Sequence, residues 1–513
     1  MNTDNKYNLL DEKLISVRLI DGSPTDLSLT EILLSLSTSD DIVSFSALQP
    51  HQQQSWYCFL VQLAAMAAAR ENGNKLPDTL PRWKEVLLKL SDGSESAWCL
   101  VVPDLKQPAF MQTPVIKGSL EDAGYKPGIE GPEDLDILIT SKNHDVKAVR
   151  MRSPKIQHWI FSLINLQTME GNFGRGNYGI VRMNGGFGNR PFIGYTKRIG
   201  FASRVRRDIE ILLLNREAAV ENYSDFGYSL LWVVPWDGGK NNGVPIQTCD
   251  PWFIEICRRI RFSENENSLE SFRANSESKR VEAPEELFGV TGDPWTPIDS
   301  EKSKSLTLGD AGFSYELIQK ILFKQGYRSP VSMNFKQDEK GGTHLICHGL
   351  VRGQGKTGGL HKRIIPVSVK AARALFQDTT LQVKLAKQSS TRVGMAQDAA
   401  QKVLRPAVAL LQSNANSVKA DAPKVQSWIN LFNSAIDQRF FDSLWDSVSL
   451  DPNEARQQWA EILYMEAEKI YLEAERSVPI AQLRRYGTIS AARALFYSRS
   501  RSVLEWPPAP ELI

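Results

Sequence analysis

A short run near residue 350 carries residues that could bind phosphate. Residues 349–363 read GLVRGQGKTGGLHKR, and the centre, GQGKT, is similar to the loop that holds a nucleoside triphosphate. That loop needs a glycine five places before its Gly-Lys pair, so that successive backbone N–H groups surround the β-phosphate. Leu350 stands there, with the glycine one residue earlier, at Gly349. Two glycines after Thr357 and then Pro366 also oppose the helix that must follow. The spacing therefore argues against a triphosphate site.

A second glycine motif, GRGNYG, satisfies the dinucleotide-binding pattern G-x-G-x-x-G with Gly174, Gly176 and Gly179. That pattern must follow a strand and open a helix, so that the pyrophosphate meets the helix N-terminus. Here the apolar spacing predicts a helix before the glycines and no long helix after them. What the motif offers is backbone without bulk, flanked by Arg175 and Arg182, which could approach another backbone or a nucleic-acid groove.

The run HLICH places three candidate metal ligands, His344, Cys347 and His348, within five residues. The surrounding sequence predicts a strand, in which Cys347 points away from both histidines, so no three-ligand site forms locally. Structural histidines are the favoured interpretation. The five cysteines form no C-x-x-C pair, and no nucleophile with a neighbouring base is apparent. We therefore predict neither a metal nor a catalytic centre.

The run LDILITSKNHDVKAVRMR, residues 135–152, joins an apolar entry to a polar turn and then to basic residues. It has two interpretations: an ordinary surface hairpin, or a loop in which Lys142, Asn143 and His144 hydrogen-bond phosphates or base edges. Composition does not separate the two, because such loops are common on any protein surface.

Charge is unevenly distributed along the 513 residues, although the formal net charge is only +2. Residues 147–207 contain twelve Lys or Arg and one acid, and residues 340–377 contain seven basic residues and no acid. Two such blocks around glycine-rich loops favour contact with a polyanion, with nucleic acid as the leading class. The longest apolar run is shorter than the roughly 20 residues of a membrane span. A reducing cytoplasm is the expected location.

The elements that must position these residues change in character along the chain. Residues 8–367 mix short β-like runs with helices and turns, which predicts one large α+β body, and the polar segment 263–286 is expected to be a mobile surface excursion. From about residue 371 the pattern is helical, and Asp451 followed by Pro452 should begin a helix with an apolar stripe. We predict two domains: residues 1–370, and residues 371–513 as a four-helix bundle with a Pro-rich tail.

Several landmarks in this order resemble one known family. They are LLDEKLISVRLIDG near the start, PAFMQTP at residues 108–114, the SKNHDVK loop, NFGRGNYG, TCDPWFIEI, GDPWTP and a helical C-terminal part. The combination is similar to the CasA family, the large subunit of the type I-E CRISPR Cascade surveillance complex. PAFMQTP is the most specific of them, and the resemblance spans most of the chain.

The resemblance implies a large mixed domain followed by a four-helix bundle, and a protein without enzyme activity or cofactor. Members of this family bind duplex DNA beside a guide-RNA complex, read a short protospacer-adjacent motif, help to open the duplex and dock a helicase-nuclease. Base pairing with the guide reads the long sequence while protein reads the short duplex tag. The expected partners are therefore guide RNA, the other Cascade subunits, double-stranded target DNA and the helicase-nuclease.

The resemblance also implies roles for particular residues. The glycine loop would approach the minor groove of the tag through Gly174, Arg175, Gly176 and Asn177. The SKNHDVK turn would lie near the RNA 5′ handle and the tag, with Lys142, Asn143 and His144 as the candidates. The GQGKT stretch would be a wedge hairpin, with Gln354 and Gly355 at its tip and Arg352 and Lys356 holding phosphates.

One departure from the family concerns zinc. Some members carry clustered cysteines after the equivalent of TCDPWFIEI, whereas only Cys249 and Cys257 lie in that region here. Two thiolates are too few for a structural site, and we predict no zinc.

Two other classes of function compete with this one. A nucleotide-dependent enzyme would rest on the two glycine motifs and would need a helix after Lys356. A general RNA-binding scaffold would show no preference among short duplex tags.

Overall fold

The computed structural model describes residues 4–71, 73–129, 131–136, 154–183, 188–240, 242–265, 268–287, 290–336, 339, 341–353, 356–412, 422–480 and 482–507. The chain folds into two compact units. The first comprises Met1–Phe313, Lys324–Lys336 and His344–Ile364, and the second comprises Ser314–Phe323, Gln337–Thr343 and Ile365–Ile513. The fold is α+β with helices at the C-terminal end, as predicted. The domain boundary predicted between residues 370 and 371 stays a prediction.

The strands are short and form several small sheets. In chain order they are β1 (Lys6–Asn8), β2 (Ile15–Leu19), β3 (Pro24–Leu27), β4 (Ile42–Phe45), β5 (Cys99–Val101), β6 (Lys126–Ile129), β7 (Phe192–Thr196), β8 (Tyr228–Leu230), β9 (Val244–Pro245), β10 (Cys249–Ile254), β11 (Arg259–Asn265), β12 (Ser268–Ala274), β13 (Val281–Glu282), β14 (Ile298–Asp299), β15 (Lys304–Ser305), β16 (Tyr327–Arg328), β17 (Thr343–Gly353) and β18 (Lys356–Val367). The sheet that bears on function has the order β18-β17-β7, with β17 antiparallel to β7.

The α-helices are α1 (Leu29–Thr38), α2 (Gln53–Ala69), α3 (Leu80–Leu90), α4 (Pro132–Leu135), α5 (Ile156–Met169), α6 (Phe201–Leu214), α7 (Arg216–Ala219), α8 (Tyr315–Leu322), α9 (Val369–Phe376), α10 (Thr379–Asp398), α11 (Arg405–Gln412), α12 (Pro423–Asp446), α13 (Pro452–Ser477) and α14 (Gln482–Leu504). A π-helical segment, Ala399–Leu404, connects α10 to α11. None of these helices, among the described residues, is long and apolar enough to cross a membrane.

Helix α2 forms the centre of the first unit. Every residue from Gln54 to Ala69 is buried, as expected of a helix that is apolar all round. It packs against α5, α6 and β10, and the Trp56 and Phe161 rings meet edge to face with centroids 5.2 Å apart. Helix α5, which ends just before the glycine motif, therefore rests on this buried core helix.

Half of the polar segment 263–286, expected to be a mobile excursion, consists of β-strands. β11 and β12 pair along their whole length, and β6 completes the sheet on the other edge of β12. Alternate residues of β12, among them Leu269 and Ser271, are buried. The prediction was wrong because a strand with a two-residue alternation can bury one face with few large apolar residues.

The second unit contains the predicted four-helix bundle: α10 continued by α11, then α12, α13 and α14. The predicted start of α13 is confirmed, since the Asp451 carboxylate accepts from the Asn453 and Glu454 amides at 2.7 and 3.1 Å. Ring contacts such as Phe440 against Trp459 fill the core, with centroids 5.7 Å apart. Helix α8, which precedes the bundle in sequence, belongs to the same unit.

Candidate nucleic-acid interface

The glycine loop is a closed turn that begins where α5 ends. The Ile180 amide donates to the Glu170 carbonyl (3.0 Å), which closes the base of the loop. Nearer the tip, the Phe173 amide donates to the Asn177 carbonyl (2.8 Å) and the Asn177 amide to the Gly174 carbonyl (3.0 Å). The predicted helix before the glycines is confirmed, and the loop after it has a defined shape.

The three glycines of the motif serve different purposes. Gly174 has φ +102°, and a Cβ there would meet nothing within 4 Å. A Cβ on Gly176 (φ +85°) would lie 2.9 Å from the Asn275 Cβ, and one on Gly179 would lie 2.3 Å from the Gly171 carbonyl carbon. Gly176 and Gly179 are thus required by packing, whereas Gly174 leaves its backbone open to approach.

The tip of the loop presents two side chains to solvent. Phe173 is 42% exposed, and Arg175 is also exposed. An aromatic ring and a cation side by side suit contact with a nucleic-acid backbone and its bases.

Arg182, which the sequence placed beside this loop as a groove-approaching cation, belongs instead to the core. It is buried, with Nε 3.0 Å from Asp293 Oδ2 and its guanidinium 4.0 Å from the centroid of the Phe253 ring. Glu255 lies 3.7 Å from it, and burial raises the pKa of that carboxyl to about 7. A buried cation must be paired, and local charge counting cannot reveal such a partner.

The GQGKT stretch connects two paired strands. β17 ends at Gly353 and β18 begins at Lys356, so two residues separate these neighbouring strands in the sequence. Gln354 and Gly355 lie outside the described residues. A strand, rather than a helix, follows Lys356, which removes the helix N-terminus that a triphosphate loop needs.

Arg352, near the end of β17, connects the hairpin to the glycine loop through an ion pair. It is buried and forms an ion pair with Glu170, the residue that closes the base of that loop. Its Nη1 lies 3.5 Å from Asn189 Oδ1, and its guanidinium lies 5.5 Å from the centroid of the Phe173 ring. The structure thus brings together the glycine loop and the hairpin, although Glu170 and Arg352 are 182 residues apart in the sequence. A phosphate contact by Arg352 stays a prediction, and it would require the phosphate to replace Glu170.

The third predicted element, with Lys142, Asn143 and His144, lies outside the described residues. The segment that leads into it is anchored by the buried carboxylate of Asp136. His51 Nε2 and Gln52 Nε2 lie 2.5 and 3.0 Å from Asp136 Oδ2, and Asn165 Nδ2 donates to Oδ1 at 2.6 Å. Sequence reasoning missed this anchor, since its partners come from α5 and from the turn before α2.

The described residues hold no group of three His, Cys, Asp or Glu side chains arranged to bind a metal. HLICH lies in β17, as predicted, with Cys347 on the face opposite His344 and His348. Burial raises the pKa of the Cys249 and Cys257 thiols to about 12 each, which keeps them protonated and poor as ligands. The absence of zinc stays a prediction.

Comparison with known proteins identifies relatives over nearly the whole chain. The family model described as CRISPR-associated protein Cse1 matches residues 8–470. No curated protein matches the sequence.

Solved structures show the same fold. CasA (Cse1) from Thermus thermophilus has a TM-score of 0.67 at 13% identity, covering 97% of this chain and 100% of that one. Cse1 from Thermobifida fusca has a TM-score of 0.65 at 13% identity, covering 98% of each chain. Cse1 from Acidimicrobium ferrooxidans has a TM-score of 0.59 at 12% identity, covering 98% and 99%. At such identities the likeness establishes the fold and leaves individual residues to be argued from this chain.

Proposed function

Because the chain belongs to the CRISPR-associated protein Cse1 family, the large subunit of the type I-E CRISPR Cascade complex, we propose that it reads a protospacer-adjacent motif in duplex DNA and helps to open the duplex. In this role it works beside the guide RNA and the other Cascade subunits, in the cytoplasm. It then docks the helicase-nuclease that destroys the target. The protein performs no chemistry of its own and needs no cofactor.

The observation that carries this proposal is the buried contact between Arg352 and Glu170. It holds the glycine loop and the hairpin side by side. A groove reader and a strand-separating wedge must act on adjacent base pairs, because opening begins where the tag is bound. The contact supports that arrangement by fixing the spacing between the two elements.

Each element has a proposed role. At the glycine loop, Gly174 admits the close approach of a minor groove, and Arg175 and Asn177 hydrogen-bond phosphates or base edges, while Gly176 keeps the turn packed. At the hairpin, Gln354 hydrogen-bonds bases that lose their partners, Gly355 provides a tip without bulk, and Lys356 holds a phosphate. In the SKNHDVK loop, Lys142, Asn143 and His144 lie near the RNA 5′ handle.

The experiment that tests this function reconstitutes Cascade with this chain and presents duplexes whose tag is randomised. Selective enrichment of a few tags, by about tenfold or more over the pool, is expected, since a mismatched pair in a recognised site costs about 1–3 kcal/mol. Equal binding of all tags would contradict the proposal and would favour a general RNA-binding scaffold. Cascade assembled without this chain is the control.

A further inference from the structure

A cavity of about 430 Å³ opens in the first unit, between the β17–β18 hairpin and the beginnings of α2 and α6. Its rim contains Val43, Ile199 and Ile364, which are 54%, 48% and 48% exposed. Three large apolar side chains exposed around one opening are unusual on a soluble surface, where such residues are normally scattered. The volume is in the range of small-ligand sites.

The cavity is built for an anion. Arg204, Lys362 and Arg363 line it, and no Asp or Glu is among the described residues of its wall. The Arg204 guanidinium lies 4.6 Å from the centroid of the Tyr57 ring, and Lys362 Nζ donates to Gln53 Oε1 at 2.5 Å. These contacts hold the two cations in place without neutralising them with a carboxylate.

The N-terminus of α6 adds to this field. The helix is 14 residues long, it starts at the cavity, and its N-cap, Gly200, provides no side-chain hydrogen bond. Free backbone N–H groups and the positive end of the helix dipole favour negative charge at this point.

An unpartnered acceptor lies in the same wall. His348 is 8% exposed, and its Nε2 has no hydrogen-bond partner among the described residues. Burial, and then the charge of Lys362, lower the pKa of this imidazole to about 3, so the ring is neutral. The ring also bonds the Pro50 carbonyl, which takes its one N–H and leaves Nε2 as an acceptor. Nε2 is itself closed to solvent, so His348 contributes a neutral ring to the wall rather than a hydrogen bond to an occupant.

The wall also contains aromatic surface. Phe45 and Phe201 meet edge to face there, with ring centroids 5.2 Å apart. An occupant that matches the cavity has an anionic group and a flat apolar body. A nucleotide combines both, whereas an acidic peptide side chain supplies only the charge.

We propose that this cavity binds one unpaired nucleotide of a nucleic-acid strand, with its phosphate on Arg204 and Lys362 and its base against the aromatic wall. The inference rests on the proposed nucleic-acid-binding function, but it requires neither tag reading nor duplex opening. It assigns the protein a site for single strands separate from the glycine loop and the hairpin tip.

The test uses the full chain and short single-stranded DNA oligonucleotides containing 2-aminopurine, whose fluorescence falls on stacking. Lys362→Gln should weaken binding by about tenfold and lower the slope of log affinity against log salt by about 0.7, as expected for one lost phosphate contact with a single strand. Lys106→Gln, an exposed lysine elsewhere in the first unit, is the matched control and should change neither quantity.

A second pair of variants separates binding from folding. Phe201→Leu should weaken binding with the salt slope unchanged, because it removes aromatic surface and no charge. Phe201→Tyr keeps a ring at this position and should recover most of the affinity. Gly200→Phe adds a ring where a Cβ meets nothing within 4 Å and should compete with the base.

Three measurements on these variants test whether the cavity binds a nucleotide of a strand. Unchanged oligonucleotide affinity and quenching in Lys362→Gln, Phe201→Leu and Gly200→Phe would overturn it. Equal competition by AMP would show a site for free nucleotides rather than for a strand, and displacement by a poly-glutamate peptide would show a site for protein. Tag-dependent duplex binding, measured on the same variants in assembled Cascade, is expected to persist, so failure here is distinct from failure of the proposed function.

Discussion

The glycine loop and the β17–β18 hairpin both come from glycine-rich stretches of sequence, yet different contacts hold them. The loop is closed by its own backbone hydrogen bonds and by packing so tight that Gly179 has no room for a Cβ beside Gly171. The hairpin is an extension of the three-stranded sheet, and Arg352 attaches it to the loop. The glycine loop, whose shape is fixed by packing, is suited to recognising a DNA groove. The hairpin strands, which extend from the sheet, are suited to insertion between the two DNA strands.

The largest expected effect comes from cutting the contact that joins the two regions. Arg352→Met leaves the carboxylate of Glu170 buried without its cation, and breaking one side of a buried pair costs about 3–5 kcal/mol. Chemical denaturation should show this loss in the free energy of unfolding. The double variant Arg352→Met with Glu170→Leu should recover much of it, because it removes both charges. A single variant as stable as the wild type would mean that the pair does not hold the regions together.

A smaller loss of stability should distinguish the packed part of the glycine loop, at Gly179, from its open part, at Gly174. In Gly179→Ala the new Cβ would lie 2.3 Å from the Gly171 carbonyl carbon, and such overpacking costs about 1–3 kcal/mol. Gly174→Ala meets no neighbour, and only its positive φ should cost about 1 kcal/mol. Thermal unfolding of the two variants checks the ranking. Equal losses would show that the loop is not packed as described.

The pH dependence of stability should also differ between the regions. Glu255 accepts from the Val181 amide at 2.7 Å, just after the glycine loop. Burial raises the pKa of this carboxyl from its ordinary 4.5 to about 7. The folded state therefore keeps a proton that the unfolded chain releases, so this contribution to stability is present below about pH 4.5 and is lost as the pH rises to about 7.

The variant Glu255→Gln should remove this dependence. Between those pH values the wild type should lose about 1–3 kcal/mol relative to the variant. Denaturation at several pH values measures the difference, and parallel curves for the two proteins would contradict it. Variants at the hairpin tip are expected to show the same pH dependence of the free energy of unfolding as the wild type.

Substitution of Gly174 should have the smallest effect on stability but a clear effect on the binding of tagged duplex DNA. Gly174→Leu adds bulk where the structure has open space, so it should weaken binding of tagged duplex by about tenfold or more while Cascade still assembles. Gly176→Leu is a poorer probe, because its side chain would displace Asn275. A gel-shift titration with unchanged affinity for Gly174→Leu would rule out groove approach at this position.

Local patterns were enough to predict the elements whose stability is local. The apolar spacing identified α5, and the Asp451–Pro452 pair identified the start of α13. The alternation in HLICH identified β17. In each case the deciding interactions lie within a few residues of one another in the sequence.

Long-range contacts account for what the sequence did not reveal. Helix α8 joins the second unit through Tyr315, whose amide donates to Asp437 Oδ1 at 2.6 Å, 122 residues away. Arg182 and Arg352 counted toward basic blocks, yet both are buried against carboxylates. Charge runs therefore overstated the cationic surface, and only the fold decides which cations reach it.

The same distinction between paired and exposed arginines applies to the four-helix bundle. Among the arginines of α14, Arg493 pairs with Glu475 through two hydrogen bonds of 2.7 and 2.5 Å, so it is not a good candidate for phosphate contact. Arg499 and Arg501 are exposed, and they are the better candidates for contact with a polyanion.

The central claim, that the loop reads and the hairpin opens, is tested most directly by the rate of strand separation. Reconstituted Cascade containing Gln354→Ala with Lys356→Ala should bind tagged duplex with nearly normal affinity but open it slowly, as measured by 2-aminopurine fluorescence at the tag-proximal bases. A target already opened by a bubble of mismatches should restore the wild-type rate. Opening of intact duplex at the wild-type rate, or no rescue by the bubble, would contradict the claim.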